Sequence, residues 1–209
     1  DILQVGYKDI SPNGIVSESY LHLPESKVMT GRDLYLSKQL CMAPWAFIYR
    51  KSLLTDNNIS FPEDFKTCED IQFNQKALFF AKKAMTTSAF GYYYRQRISS
   101  ATQGQAHRVM IDHVRRLPLA VEYFKPLGDN DFLTNIVYRN AREIIVWLWN
   151  AKPSEEDFSY IRTTISDVRK AFTPSRFVVK LYLLILSIMP KTLCVVQRGY
   201  NRIKHRMTK

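Results

Sequence analysis

Near residue 105 the apolar residues change their period, and this constrains the fold more than any other feature of the chain. Before that point short β-rich runs alternate with short helical ones. After it Met110, Val114, Leu117, Val121 and Phe124 step by 4, 3, 4 and 3, which is one face of a helix. In the first region the sequence predicts an opening strand from Asp1 through Tyr7, ended by the turn residues Ser11-Pro12-Asn13-Gly14. A helix start is predicted at Thr30, with Asp33 near its N-terminus, followed by a short β-rich run over Trp45–Tyr49. Arg50 to Asp56 suits a short helix stopped by Asn57-Asn58. Glu69-Asp70 opens an apolar helix through Phe80, and Met85 to Arg95 returns as a strand. In the second region Pro118 is expected to kink or end the first helix. A second helix fits Asp131–Asn150, and a third opens at Ser154 with the stripe Phe158, Ile161, Ile165, Val168 and Phe172. The expectation is an α/β half followed by an all-helical region, divided as 1–105, 106–172 and 173–209.

Charge is as unevenly placed as periodicity. All 19 acidic residues lie within 1–167, whereas 168–209 holds ten of the 30 Lys and Arg and no acid. A nearly neutral body with a polycationic tail points to an anionic surface; a nucleic-acid-binding fold spreads its basic patch over a folded face, so no nucleic-acid partner is expected. Phe177 to Met189 is an apolar run broken only by Lys180 and Ser187, too short for the roughly 20 residues that span a bilayer. Beyond it Leu193, Val196, Tyr200, Ile203 and Met207 repeat at helical spacing with basic residues between. The pattern is that of helices lying in a membrane interface; a helical pair closing over the core is the other reading. The chain has no initiator Met and opens inside a strand, so an upstream segment is expected. Three widely spaced cysteines, Cys41, Cys68 and Cys194, fit a reduced compartment.

The chemistry is concentrated in 43–102. Ala-Pro-Trp-Ala-Phe-Ile-Tyr-Arg-Lys-Ser-Leu-Leu (43–54) is followed by Asn-Ile-Ser-Phe-Pro-Glu (58–63), then Cys68-Glu69-Asp70-Ile71, then Tyr92-Tyr93-Tyr94-Arg95-Gln96-Arg97-Ile98-Ser99-Ser100. In this order and spacing the segments resemble family 2 glycosyltransferases of the GT-A fold, of the kind that build capsule, O-antigen and lipopolysaccharide sugars. The resemblance covers residues 1–105 and implies the second half of a GT-A mixed sheet. It also implies a hexosyltransferase-type inverting transfer from a nucleotide-sugar donor to a saccharide or lipid-linked acceptor, at the inner face of the cytoplasmic membrane. On this resemblance Asp70 is the general base, with Glu69 beside it. A carboxylate at a helix N-terminus is held and aimed, although the same pair also serves as a plain helix cap. Trp45, Tyr92 and Tyr94 offer flat faces to sugar rings or else form core; strand alternation sends Tyr93 to the opposite side. Arg95, Arg97 and Ser100 suit diphosphate oxygens, or are solvated surface.

The sequence departs from the family pattern in two places. Ala46 stands where many members carry Asn after the tryptophan. The Asp-x-Asp motif that holds a divalent metal, Mg or Mn, against the sugar diphosphate is absent, so no metal ligands are expected in this chain and the fragment is expected to be inactive alone. Asp129-Asn130-Asp131 matches that motif as text but reads as a turn and helix cap. Asn58-Ile59-Ser60 matches a glycosylation sequon that a cytosolic protein leaves bare. The four histidines, His22, His107, His113 and His205, lack metal-ligand spacing and read as surface residues. A non-catalytic binding or membrane-attachment module and a basic nucleic-acid-binding protein are the alternatives to an enzyme.

Overall fold

A computed structural model describes residues 1–14, 16–20, 25–37, 40–95 and 104–193. It divides into two compact units, Asp1–Gln103 and Gly104–Lys209.

The first unit is built around β1 (Ile2–Ile10). Strand β4 (Ala84–Arg95) runs parallel to it along its whole length, from Ile2↔Ala84 to Ile10↔Arg95. Because β4 occupies one edge entirely, the two antiparallel partners share the other. β3 (Phe47–Tyr49) pairs at the start of β1 and β2 (Val16–Tyr20) at its end. The sheet is therefore mixed and four-stranded. Parallel strands cannot be joined by a tight turn, and the intervening chain supplies the helices. These are α1 (Gly31–Leu36), α2 (Lys51–Asp56) and α3 (Glu69–Phe80). Thr30 caps α1 as its position predicts, its hydroxyl accepting the amide of Asp33 at 3.0 Å. α1 packs on α3, and Leu34, Tyr35, Ala77 and Leu78 are buried there. Trp45 and Ala46 differ from the β-rich expectation: they belong to a 3-10 turn, Pro44–Ala46. Pro44 at its first position presets the helical φ, so the strand begins only at Phe47.

The second unit holds α4 (Ala106–Phe124), α5 (Asn130–Ala151), α6 (Glu155–Ala171) and α7 (Phe177–Ile188). All five residues of the predicted α4 stripe and all five of the α6 stripe are buried. α4 packs on α5 and α6, and α7 on α5 and α6. Asp129 is the N-cap of α5, its carboxylate accepting the Phe132 amide at 2.9 Å. Ser154 and Asp157 form a reciprocal capping box on α6. Two expectations are corrected here. Pro118 does not end its helix, since α4 continues through it to Phe124, and the proline sits on the exposed side. His113 is not a surface residue: it is 2% exposed, on the α4 face that also buries Arg116. The absence of metal-ligand spacing, on which the surface reading rested, carries no information about burial.

Candidate active site

The candidate site lies in the first unit, where a short strap, Cys41–Trp45, is tied between β1 and α3. Gln4 is fully buried in β1, and its amide donates to the Cys41 carbonyl at 2.8 Å. From the other side Asn74, also fully buried, donates to the Met42 carbonyl at 2.6 Å. The Tyr49 hydroxyl in turn donates to the Asn74 side-chain oxygen. Buried amides and hydroxyls are costly unless paired, and these pairings hold the strap in place. They also leave the Gln4 side-chain oxygen without a hydrogen-bond partner among the described residues.

The strap delivers Trp45 to an aromatic platform. Its ring stacks on Tyr92 at 4.8 Å and 21° and on Tyr94 at 5.0 Å and 22°, and Tyr7 meets it edge-on at 4.7 Å. Alternation along β4 explains the pair: Tyr92 and Tyr94 share one face, and Tyr93, 58% exposed, takes the other. The parallel register sets Tyr7 of β1 opposite Tyr92, which brings the fourth ring in. Tyr92 remains 40% exposed, so the platform has an open side.

Glu69 and Asp70 begin α3, directly after Cys68, whose φ of 64° is left-handed. That sharp turn, on a residue other than glycine, fixes where the two carboxylates leave the chain. The Asp70 Oδ1 accepts the amide of Ile71 at 2.7 Å, as a carboxylate in a first helical turn can. The Glu69 Oε2 is buried without a hydrogen-bond partner among the described residues. Two neutral acids sit within electrostatic range of Asp70. Burial pushes the Tyr49 hydroxyl up, with Asp70 and then Cys41 adding to the rise. Burial also raises the Cys41 thiol, against a backbone hydrogen bond from Ala43 that lowers it, and Asp70 adds to the rise. The Tyr7 hydroxyl is raised by burial first and then by Cys41, Asp9 and Tyr94. Asp70 thus begins the helix whose Asn74 fastens the strap, and the strap carries Cys41 at one end and Trp45 at the other.

Of the residues predicted from sequence, Trp45, Tyr92 and Tyr94 come together, and Glu69 and Asp70 stand at the start of α3. Arg95 lies exposed at the end of β4, opposite Ile10. Arg97 and Ser100 lie outside the described residues, as do His22 and His205. Sequence reasoning missed Gln4, Tyr7, Cys41, Tyr49 and Asn74. Asn74 had a local signal, one turn beyond Asp70 on the same helix face, and Gln4 was a polar residue within an apolar strand. Among the described residues no three His, Cys, Asp or Glu side chains assemble as a metal site.

The mixed sheet that carries this carboxylate pair and aromatic platform is similar in fold to a glycosyltransferase, and part of the chain is homologous to it in sequence. The relative is the poly(ribitol-phosphate) beta-N-acetylglucosaminyltransferase TarS of Staphylococcus aureus. The chain is 33% identical to it over 95 residues, in strains Mu50 and MW2 alike. That match covers 45% of this chain and 16% of the relative, so it spans about a sixth of the curated relatives' length. In fold, the crystal structure of TarS 1-349 with UDP-GlcNAc superposes with a TM-score of 0.63 at 19% identity, covering 95% of this chain and 60% of that one. The complex with UDP gives 0.57 at 18% identity, covering 95% and 58%. No protein-family model matches the sequence.

Proposed function

We propose that this chain is the acceptor side of an inverting family 2 glycosyltransferase that moves a hexosyl group from a nucleotide-sugar donor to a saccharide or lipid-linked polymer acceptor. The TarS structures hold UDP-GlcNAc or UDP, which supports a uridine-diphosphate sugar as donor. In the proposed step the Asp70 carboxylate takes the proton of an acceptor hydroxyl. The oxygen then bonds to the anomeric carbon from the side opposite the diphosphate, the bond from that carbon to the diphosphate oxygen breaks, and the configuration inverts. Glu69 supports the helix start. Trp45, Tyr92 and Tyr94 carry the acceptor sugar on their flat faces, and Arg95, with Arg97 and Ser100, meets the donor diphosphate. When bound, a divalent cation, Mg or Mn, neutralises diphosphate charge from ligands outside these residues.

The observation that carries this reading is that the helix opened by Asp70 is tied through Asn74 to the strap that bears the Trp45 platform, within a fold and sequence related to TarS. Residues 1–105 supply the acceptor side and 106–172 a helical region. Residues 173–209 supply a basic tail that holds the enzyme peripherally on the inner face of the cytoplasmic membrane. No helix among the described residues is long and apolar enough to cross a membrane. The test is the anomeric configuration of the product, followed by NMR with a UDP-α-linked donor and the full-length transferase. A β-linked product is expected, and no turnover by the 209 residues alone. A retained α-linkage contradicts the single-displacement step, and turnover by the 209-residue chain contradicts its being the acceptor side only.

A further inference from the structure

Helix α7 is apolar on nearly every side, yet only one side is covered. Val179, Leu183 and Leu186 are fully buried against the rest of the helical unit. On the opposite side Phe177, Leu181, Leu184 and Ile188 recur at 4, 3 and 4, a single stripe. Phe177 is 78% exposed, Ile188 58% and Leu181 42%. A helix apolar all round is normally buried all round, and contiguous exposed apolar surface marks a contact face.

We propose that this stripe of α7 is the surface that inserts into an anionic bilayer, lying in the plane of the interface. The proposal rests on the peripheral location given above and names the face responsible for it. Charge selects the occupant. From residue 168 onward the chain carries ten basic residues and no acid, and Lys180, exposed beside the stripe, has no acidic partner among the described residues. Between the end of α6 and α7 runs a groove of about 270 Å3 with Arg169 and Lys180 at its rim and Phe172, Leu183 and Leu184 lining it. An apolar interior beneath a cationic rim follows the polarity of an anionic lipid, tail inside and headgroup outside. The chain's own residues 194–209 are basic and without acid, so they offer Lys180 no complement. At 12 residues α7 is about 18 Å long and lies on a bilayer rather than crossing it.

The experiment is co-sedimentation of the full 209-residue chain with vesicles of equimolar phosphatidylglycerol and phosphatidylcholine, or of phosphatidylcholine alone. It compares the native sequence with Phe177→Ser/Leu181→Ser/Ile188→Ser, which keeps the charge and alters only exposed positions, and with the single Phe177→Ser. Circular dichroism checks that helix content is kept. The triple variant is expected to bind anionic vesicles about tenfold more weakly or worse, and the single variant to fall between. Equal binding by native and triple-variant chains overturns the stripe while leaving a peripheral location carried by the basic tail. No binding by the native chain overturns both, whereas equal binding to phosphatidylcholine alone overturns the choice of an anionic bilayer and with it the proposal. A native dimer that the triple variant loses, with vesicle binding unchanged, assigns the face to a second copy and overturns the proposal as well.

Discussion

His113 shows what a single buried ionisable group does to this chain. Burial, then the positive Arg116 beside it, pushes its imidazole down to about 3, against a hydrogen bond to the Asn140 side chain that raises it. The folded state therefore keeps His113 neutral where the unfolded chain, with an ordinary histidine near 6.5, takes up a proton. Stability from this residue is complete above about pH 6.5 and declines as pH falls toward 3. Thermal melts at stepped pH should show that decline, and His113→Gln should flatten it; an unchanged acid slope would place the lability elsewhere. The same residue marks the limit of reading side chains locally. Tyr92 and Tyr94 were separable from Tyr93 because strand alternation is a local rule. Tyr7, Gln4 and Tyr49 became visible only through partners distant in the chain, to which no spacing points. His113 was misread because burial of its α4 face depends on Asn140 of α5.

At the scale of elements, packing depends on how closely backbones approach. Gly31 begins α1 against the end of α3, where an added Cβ would press on the Leu78 carbonyl and stand 2.8 Å from the Ala81 Cβ. The obstacle is largely backbone and cannot swing aside. Gly31→Ala is therefore expected to destabilise the chain by about 1–3 kcal/mol, read as a lowered midpoint in denaturant titration, and a neutral result would mean that α1 docks more loosely than described. Most elements were legible in advance, since stripes and caps such as Thr30, Asp129 and the Ser154–Asp157 pair are set within a few residues. The exceptions have local causes that compete with pattern. Pro44 converts the start of an apolar, β-rich run into a 3-10 turn. Pro118 is tolerated because it falls on the exposed side of α4, while Leu117, Ala120 and Val121 keep the other side packed.

At the scale of the whole molecule, the half-sheet, the helical region and the polycationic end were all legible as separate signals, because period and charge are sums over many residues. The proposed chemistry rests on one place in the first unit. Asp70 stands at the head of α3, directly after the left-handed turn at Cys68, on the helix whose Asn74 ties down the strap that carries Trp45. The central claim is that this carboxylate removes the acceptor proton. The most direct measurement is kcat for sugar transfer by the full-length transferase and its Asp70→Asn variant, with donor affinity measured separately by calorimetry. The account predicts a fall in kcat of about 100-fold or more with donor affinity nearly unchanged. Near-native kcat in Asp70→Asn would contradict it and move the base to another residue.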